Sequence, residues 1–407
     1  MGLLRFVFPE RNLDGRNGAV MRWLVLLAVS FSGWAQTTLP VLGVGAPPAA
    51  AGGYLHYYAI TTAALQEGLA DSSNFPVCVS TVGTVGCNVT TDISANLATS
   101  AHGGYVQNTV TQTGGNGGTE PADAVFGTTS TCSTLLPWET ETYNATTGAW
   151  IAHVQLPTLH YLIQDTFYLC FDQNAVTTQQ NTGSYAPSAV WDTYYRILWH
   201  EPTIGGSLTL QDSTTYANNA TNTGGATVGT GEIDGAAAFA SASKQYFKIL
   251  NNASFNLAAP FTISEWINIT TTGGIQFLFG KSSAGQFLAQ DEGSGVYRFL
   301  AEFGNTIVSS IQPSYGTWVY VTVVVTSGGQ AIYINAGTPA TDSTTGNGFT
   351  VVGAIYVGYS AGDGQWPVNG VIDEIRLSAT NRSASWITAE YNNQKASSTF
   401  LAAGSFH

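Results

Sequence analysis

Charge is what this sequence is shortest of. Only 9% of its 407 residues are Asp, Glu, Lys or Arg, against about a quarter in ordinary globular chains. Gly, Ser, Thr and Asn supply the polar surface instead. That argues against helices, which draw their solvent-facing positions from Glu, Lys and Arg, and for strands joined by tight turns. Positive charge is scarcer still: between Thr37 and Tyr195 there is no Lys or Arg, and Arg196 is the first. Binding a phosphate backbone needs clustered cations that release counterions, so nucleic acid and anionic membrane surfaces are poor partners for this half. A neutral or cationic ligand fits. Catalytic signatures are also missing. There is no CxxC, no HExxH, no nucleophile elbow and no GxGxxG opening a helix, which disfavours zinc hydrolases, serine hydrolases and nucleotide-dependent enzymes. The histidines, among them His56, His102, His153, His160 and His200, are scattered along the chain, and no cluster is expected from them.

Apolar residues make up 44%, enough for a packed core. One apolar run, Trp23 to Val29, follows Arg22 and ends in the small residues around Gly33 and Ala35. It has the form of a secretory signal, so residues 1–35 read as a signal peptide with cleavage before Gln36; Met21 is an alternative start. The run is too short to span a bilayer, no later stretch is long enough, and no Cys follows the cleavage point to carry a lipid. Secretion or surface display is expected, without membrane insertion. Four cysteines remain, Cys78, Cys87, Cys132 and Cys170. Export permits two disulfides, and four cysteines allow three pairings. The favoured one is Cys78–Cys87, whose separation suits a short hairpin, with Cys132–Cys170.

Residues 36–53 are rich in Pro, Ala and Gly without periodicity and read as a flexible leader. From Tyr54 onward the pattern is that of strands. Phe75 to Ser80, Trp150 to Leu156 (stopped by Pro157) and Asp165 to Phe171 belong to the first half. Phe261 to Ile269, Thr317 to Val325 and Ala331 to Asn335 belong to the second, the last two joined by a turn at Ser327-Gly328-Gly329. The expected fold is all-β: two β-sandwich domains, residues 54–180 and 186–402, the second a jelly roll. The one good helix candidate runs from Ser383 to Gln394, with Ser383 or Ser385 as N-cap.

The second half resembles the concanavalin A-like, laminin-G-like jelly-roll family. The resemblance rests on an ordered set of pieces: Leu198-Trp199-His200, Asp212-Ser213-Thr214, Gly235 to Phe239, Phe261 to Trp266, Gly316-Thr317-Trp318, and Ile332 to Asn335. Most diagnostic are Gly370-Val371-Ile372-Asp373-Glu374-Ile375-Arg376-Leu377 and then Arg382 to Ile387. The first half resembles a bacterial family known as domain of unknown function 2341, through Phe75-Pro76-Val77, Trp138 to Asn144, Ala152 to Pro157 and Asp165 to Leu169. His153 stands where that family usually has Trp. That resemblance implies architecture and bacterial context, not chemistry.

Candidate chemistry is sparse. Glu139 and Glu141, two apart on a strand, share a face, as do the acid and nucleophile of jelly-roll glucanases, and could approach the ~5–5.5 Å separation of a retaining hydrolase. The alternative is two structural carboxylates. Asp373 and Glu374 are adjacent on a strand and should face opposite ways; the resemblance implies that Asp373 faces a loop and Glu374 is solvated. It also implies calcium between loops, with Asp212, Asn218 and Asp373 as candidate ligands, although Asp212 would equally cap a turn. For carbohydrate, aromatic faces stack on pyranose rings. Trp366 and Tyr359 flank the loop containing Asp363 and are the rim candidates, whereas Trp266 and Trp318 read as core. The favoured function is non-catalytic binding or surface display, with glycan or another extracellular polymer as partner. Glycoside hydrolysis by Glu139 and Glu141, and a structural surface component that self-associates, are the alternatives.

Overall fold

The computed structural model describes residues 53–407, apart from 67, 202, 205–206, 271–273, 282–285, 291–295, 301–305, 344–348 and 363. The expected signal peptide, nearly all of the leader, and Asp363 lie outside the described residues. The fold is all-β, as the composition leads one to expect.

In the first half, one sheet runs in the order Leu401–Ala403, His56–Thr62, Thr166–Phe171, Val125–Gly127. A three-stranded sheet, Ser72–Ser80, Trp150–Leu159, Trp138–Tyr143, completes the sandwich. Alternation assigns the faces. Tyr58, Ile60, Phe167 and Leu169 from the first sheet pack with Phe75, Val77, Trp150, Ala152 and Val154 from the second in one core. His153, between Ala152 and Val154, must therefore point out of that core. The strand beginning at Trp150 passes through Pro157 and ends at Leu159, two residues beyond the expected stop. The reason is local. The neighbouring strand Trp138–Tyr143 ends its pairing at Val154, so the missing Pro157 N–H faces no ladder on that side. On the other side the ladder skips Asn74, which adopts φ 52°.

Two larger sheets build the second half, one of seven strands and one of eight, enclosing a separate core of Phe261, Ile263, Phe279, Phe299, Val321, Val323 and Ile372. The central strand of the eight-stranded sheet, Phe261–Ile269, is buried on both faces, since the helix Ala384–Gln394 covers the outer one. Trp266, Tyr320 and Ile387 pack there, and Trp266 Nε1 donates to Gln394 Oε1 at 2.8 Å. The helix starts where its cap dictates: the Ser383 side chain accepts from Trp386 N at 3.1 Å. A second, four-residue helix, Ser94–Leu97, carries no signature in the sequence.

After the helix the chain crosses back to the first half. Leu401–Ala403 pairs antiparallel with His56–Thr62, and Tyr57 and His407 exchange backbone hydrogen bonds of 3.0 and 3.2 Å. The described residues form one compact unit.

Candidate functional site

Two constellations stand out, one buried and one at the surface. The buried one is assembled by strand register. Trp138–Tyr143 pairs with Trp150–Leu159 so that Glu139 lies opposite His153, and an irregularity between Thr140 and Thr142 accommodates Glu141. All three side chains leave the first core on the outer face of the three-stranded sheet, and all are fully buried, because the second half covers that face. It contributes His200, which follows the strand Tyr195–Trp199, and Glu374 from the strand Gly370–Ser378. Opposite Glu265 two residues, Glu374 and Ile375, occupy the space of one. This bulge puts Glu374 at φ 54° and turns its side chain inward. The expectation that Glu374 is solvated is thus corrected: it is fully buried.

The contacts are short. His153 Nε2 and Glu141 Oε2 are 2.8 Å apart, and His200 Nδ1 and Glu374 Oε1 are 2.6 Å apart. His200 Nδ1 also lies 3.7 Å from Glu141 Oε2, and its Nε2 lies 3.8 Å from Glu139 Oε2. The imidazoles of His153 and His200 stack with centroids 4.3 Å apart, and the Trp191 ring borders both. Glu139 accepts from Trp191 Nε1 and from the Ser213 hydroxyl, each at 2.6 Å. Gly115, at φ 52°, lies against Glu139, and a Cβ there would collide with the carboxylate. Beyond Glu374, Arg376 bridges to Glu374 and Glu390. So two of the histidines expected to be scattered, His153 and His200, are in fact paired. The missed signal is weak but real: His153 in place of an aromatic residue, opposite a glutamate.

Burial and neighbouring charge set the protonation of this group. Burial pulls His153 well below its ordinary pKa, and the His200 charge pulls the same way. For His200 burial also lowers, but the charge of Glu374, its hydrogen bond and the nearby charge of Glu139 prevail, pushing it up to about 9. Burial would raise Glu374, yet His200 and Arg376 hold it well below the usual carboxylate range. Glu141 is driven well up, first by burial, then by Glu374, Asp234, Asp373 and Glu139. Such a group can hold an ion or lock two surfaces together. It cannot cleave a sugar as it stands: both Glu139 and Glu141 are fully buried, so a glycosidic bond has no approach to the pair.

The surface constellation lies on the outer face of the seven-stranded sheet. Along Tyr246–Ile249 the residues Phe247 and Ile249 enter the core while Tyr246 and Lys248 face out; along Ile355–Val357 only Tyr356 faces out. The Tyr246 ring lies 5.8 Å from Tyr356 and 6.0 Å from Tyr359. Lys244 and Lys248 sit over the Tyr359 and Tyr356 rings at 5.9 and 5.8 Å. Trp366, at φ 61°, is half-buried against Phe277, Ala289 and Tyr356. Of the expected rim residues, Trp366 stays partly open whereas Tyr359 is nearly covered, at 7% exposure.

The remaining candidates are placed as follows. Cys78 bonds Cys87 and Cys132 bonds Cys170. Asp212 and Asn218 meet, but every oxygen of Asp212 is occupied. Oδ1 accepts from Leu198 N and Thr214 N, both at 3.0 Å, and Oδ2 from the Thr214 hydroxyl at 2.8 Å and Asn218 N at 2.7 Å. Here it caps a turn. Asp373 is held elsewhere, Oδ2 accepting from Glu232 N at 2.9 Å and Ile233 N at 3.2 Å. Trp266 is core, while Trp318 is half-buried.

The family model described as "Concanavalin A-like lectin/glucanases superfamily" matches residues 241–388. That match supports a concanavalin A-like jelly roll in the second half. Among solved structures, the chain is similar to the binding domain of Paraclostridial Mosquitocidal Protein 1. Identity is 17%, the overlap covers 49% of this chain and 52% of that one, and the TM-score is 0.40. It is similar also to domain 4 of AbnA, a GH43 extracellular arabinanase from Geobacillus stearothermophilus, in complex with arabinotriose. There the identity is 17%, the coverage 48% and 97%, and the TM-score 0.39. A third is the botulinum neurotoxin serotype D binding domain, at 15% identity, 49% and 52% coverage and a TM-score of 0.40. The overlap thus takes in about half of the mosquitocidal and neurotoxin chains. No curated protein matches.

Proposed function

We propose that the chain is an exported, non-catalytic recognition protein whose concanavalin A-like domain binds glycan on the outer face of its seven-stranded sheet. The observation that carries this reading is the outward aromatic group of Tyr246, Tyr356 and Trp366 beside Lys244 and Lys248. Aromatic faces stack on pyranose rings, and neighbouring polar groups read the hydroxyls. Two ammonium groups on this face, in a chain of net charge -13, favour sugars that carry a carboxylate or sulfate. Two disulfides accord with an oxidising compartment. No described helix is long and apolar enough to cross a membrane. The resemblance of the first half to a bacterial domain that often precedes laminin-G-like domains belongs to the same reading.

A glycan array followed by calorimetry tests it. Binding to at least one acidic polysaccharide is expected, with Tyr356→Ala and Trp366→Ala each weakening it about tenfold or more, the loss expected for one ring contact. Repeating the titration with calcium and with chelator asks whether the Asp212 turn takes part. No binding to any glycan, or binding that both variants leave unchanged, rejects the aromatic face as the site.

A further inference from the structure

We propose that Glu141, His153, His200 and Glu374 form a divalent-metal site of the zinc class, buried where the two halves of the chain meet, which fastens them together. Each residue offers a nitrogen or oxygen, and these four atoms lie within 4.8 Å of one another. Zinc bonds of about 2.0–2.2 Å in a tetrahedron put donors roughly 3.3–3.6 Å apart. Three of the six donor separations, 2.6, 2.8 and 3.7 Å, bracket that spacing, and the others lie within 4.8 Å, so the four side chains need to shift to admit the ion but not to change partners. The donor set also selects the metal. Two imidazoles suit zinc and its first-row neighbours, whereas calcium takes oxygen almost exclusively.

The charge around the group favours an ion. Glu139, Glu141, Asp234, Asp373 and Glu374 act on one another electrostatically, with Arg376 as the guanidinium on this side, itself shared with Glu390. His200 and Arg376 both reach Glu374, and an ion held by the four side chains would extend positive charge to Glu141. All four donors are fully buried, which leaves no open coordination position for a substrate, so the role is structural. Two donors come from the first half and two from the second, which is the geometry of a fastening.

The test uses the whole secreted chain, refolded with zinc, with cobalt(II), with calcium, or with chelator alone. Zinc is expected to bind at one equivalent and to raise the melting temperature over the chelated protein, with calcium doing neither. Cobalt(II) should give the visible absorption of a tetrahedral nitrogen–oxygen site. Glu141→Gln keeps the shape and removes a ligand charge, and should weaken zinc binding by at least about tenfold to a hundredfold, since losing a ligand costs no less than losing a group that merely orients one. In chelator it should melt no lower than the wild type. If Glu141→Gln fails to fold in every condition, the wild-type stoichiometry and cobalt spectrum decide. Zinc below a tenth of an equivalent, with no cobalt band, would show that the four side chains form an ion-pair network only, and would overturn the proposal.

Discussion

Glu265 lies in the middle of the central strand with both carboxyl oxygens buried and without a hydrogen-bond partner. Burial pushes its pKa up to about 8, so the folded protein holds it as the neutral acid over most of the physiological range. In the unfolded chain it ionises near its ordinary value of 4.5. The stability this proton confers is therefore complete below pH 4.5 and drains away as the pH rises through 8. Replacing Glu265 with Gln should flatten that decline and raise the stability by a few kcal/mol at pH 8, leaving pH 4 nearly unchanged. Urea titrations of both proteins at the two pH values measure it, and equal slopes would refute it. Nothing in the strand pattern announces such a residue. Phe261 to Ile269 alternates cleanly enough to place Glu265 on the face opposite Ser264 and Trp266, but the bulge of Glu374 and Ile375 that closes over it comes from more than a hundred residues away. The same holds for the His–Glu group: residues 141, 153, 200 and 374 share no local spacing, and only the stacking of two sandwiches unites them. The cysteines were more legible, since Cys78 and Cys87 sit nine apart, close enough for a local turn to bring them together.

Elements read from the sequence more faithfully than single side chains, because a strand or helix needs only its own periodicity. The helix Ala384–Gln394 was legible from Ser383 and the run behind it, and only the cap remained open between Ser383 and Ser385. The structure gives that role to Ser383, whose hydroxyl accepts from Trp386 N; Ser385 instead accepts from Leu69 N across the halves at 3.1 Å. Ser383→Ala should cost about 1 kcal/mol, the usual worth of an N-cap, and should loosen the cover over Trp266 and Tyr320. Tryptophan fluorescence during urea unfolding reports both effects; an unchanged midpoint would remove Ser383 as the cap that matters. Strand ends were the weak point. Pro157 reads as a stop in sequence, and it failed as one because the adjacent strand ends at Val154, a fact of tertiary pairing that no window around Pro157 contains.

At the scale of the whole molecule, the halves share more than a linker. Asn88 Nδ2 donates to Ser398 O at 3.1 Å, and Asn392 Nδ2 donates to Gln66 O at 2.8 Å. Asn393, on the helix of the second half, exchanges hydrogen bonds with the backbone of Cys78 in the first, at 2.7 and 2.8 Å. With such contacts added to the buried His–Glu group, one cooperative unfolding transition is expected for residues 53–407. Differential scanning calorimetry should show a single peak, with van't Hoff and calorimetric enthalpies equal; two resolved peaks would mean the halves melt independently. Deleting residues 401–407 removes the outermost strand of the four-stranded sheet and strips the stacking of Phe406 on His56 and of His407 on Tyr57. That variant should melt several degrees lower and be cut by protease first between residues 54 and 62.

The route of the chain also orders its own assembly in time. The strand that completes the first sheet is made some three hundred residues after the strand it joins, so the earlier portion cannot close when it emerges. It must wait, with His56–Thr62 as an open edge of the kind that recruits other chains, until the tail arrives. A polypeptide threaded through a membrane before it folds loses nothing by that delay, whereas one folding as it left the ribosome would be exposed throughout synthesis.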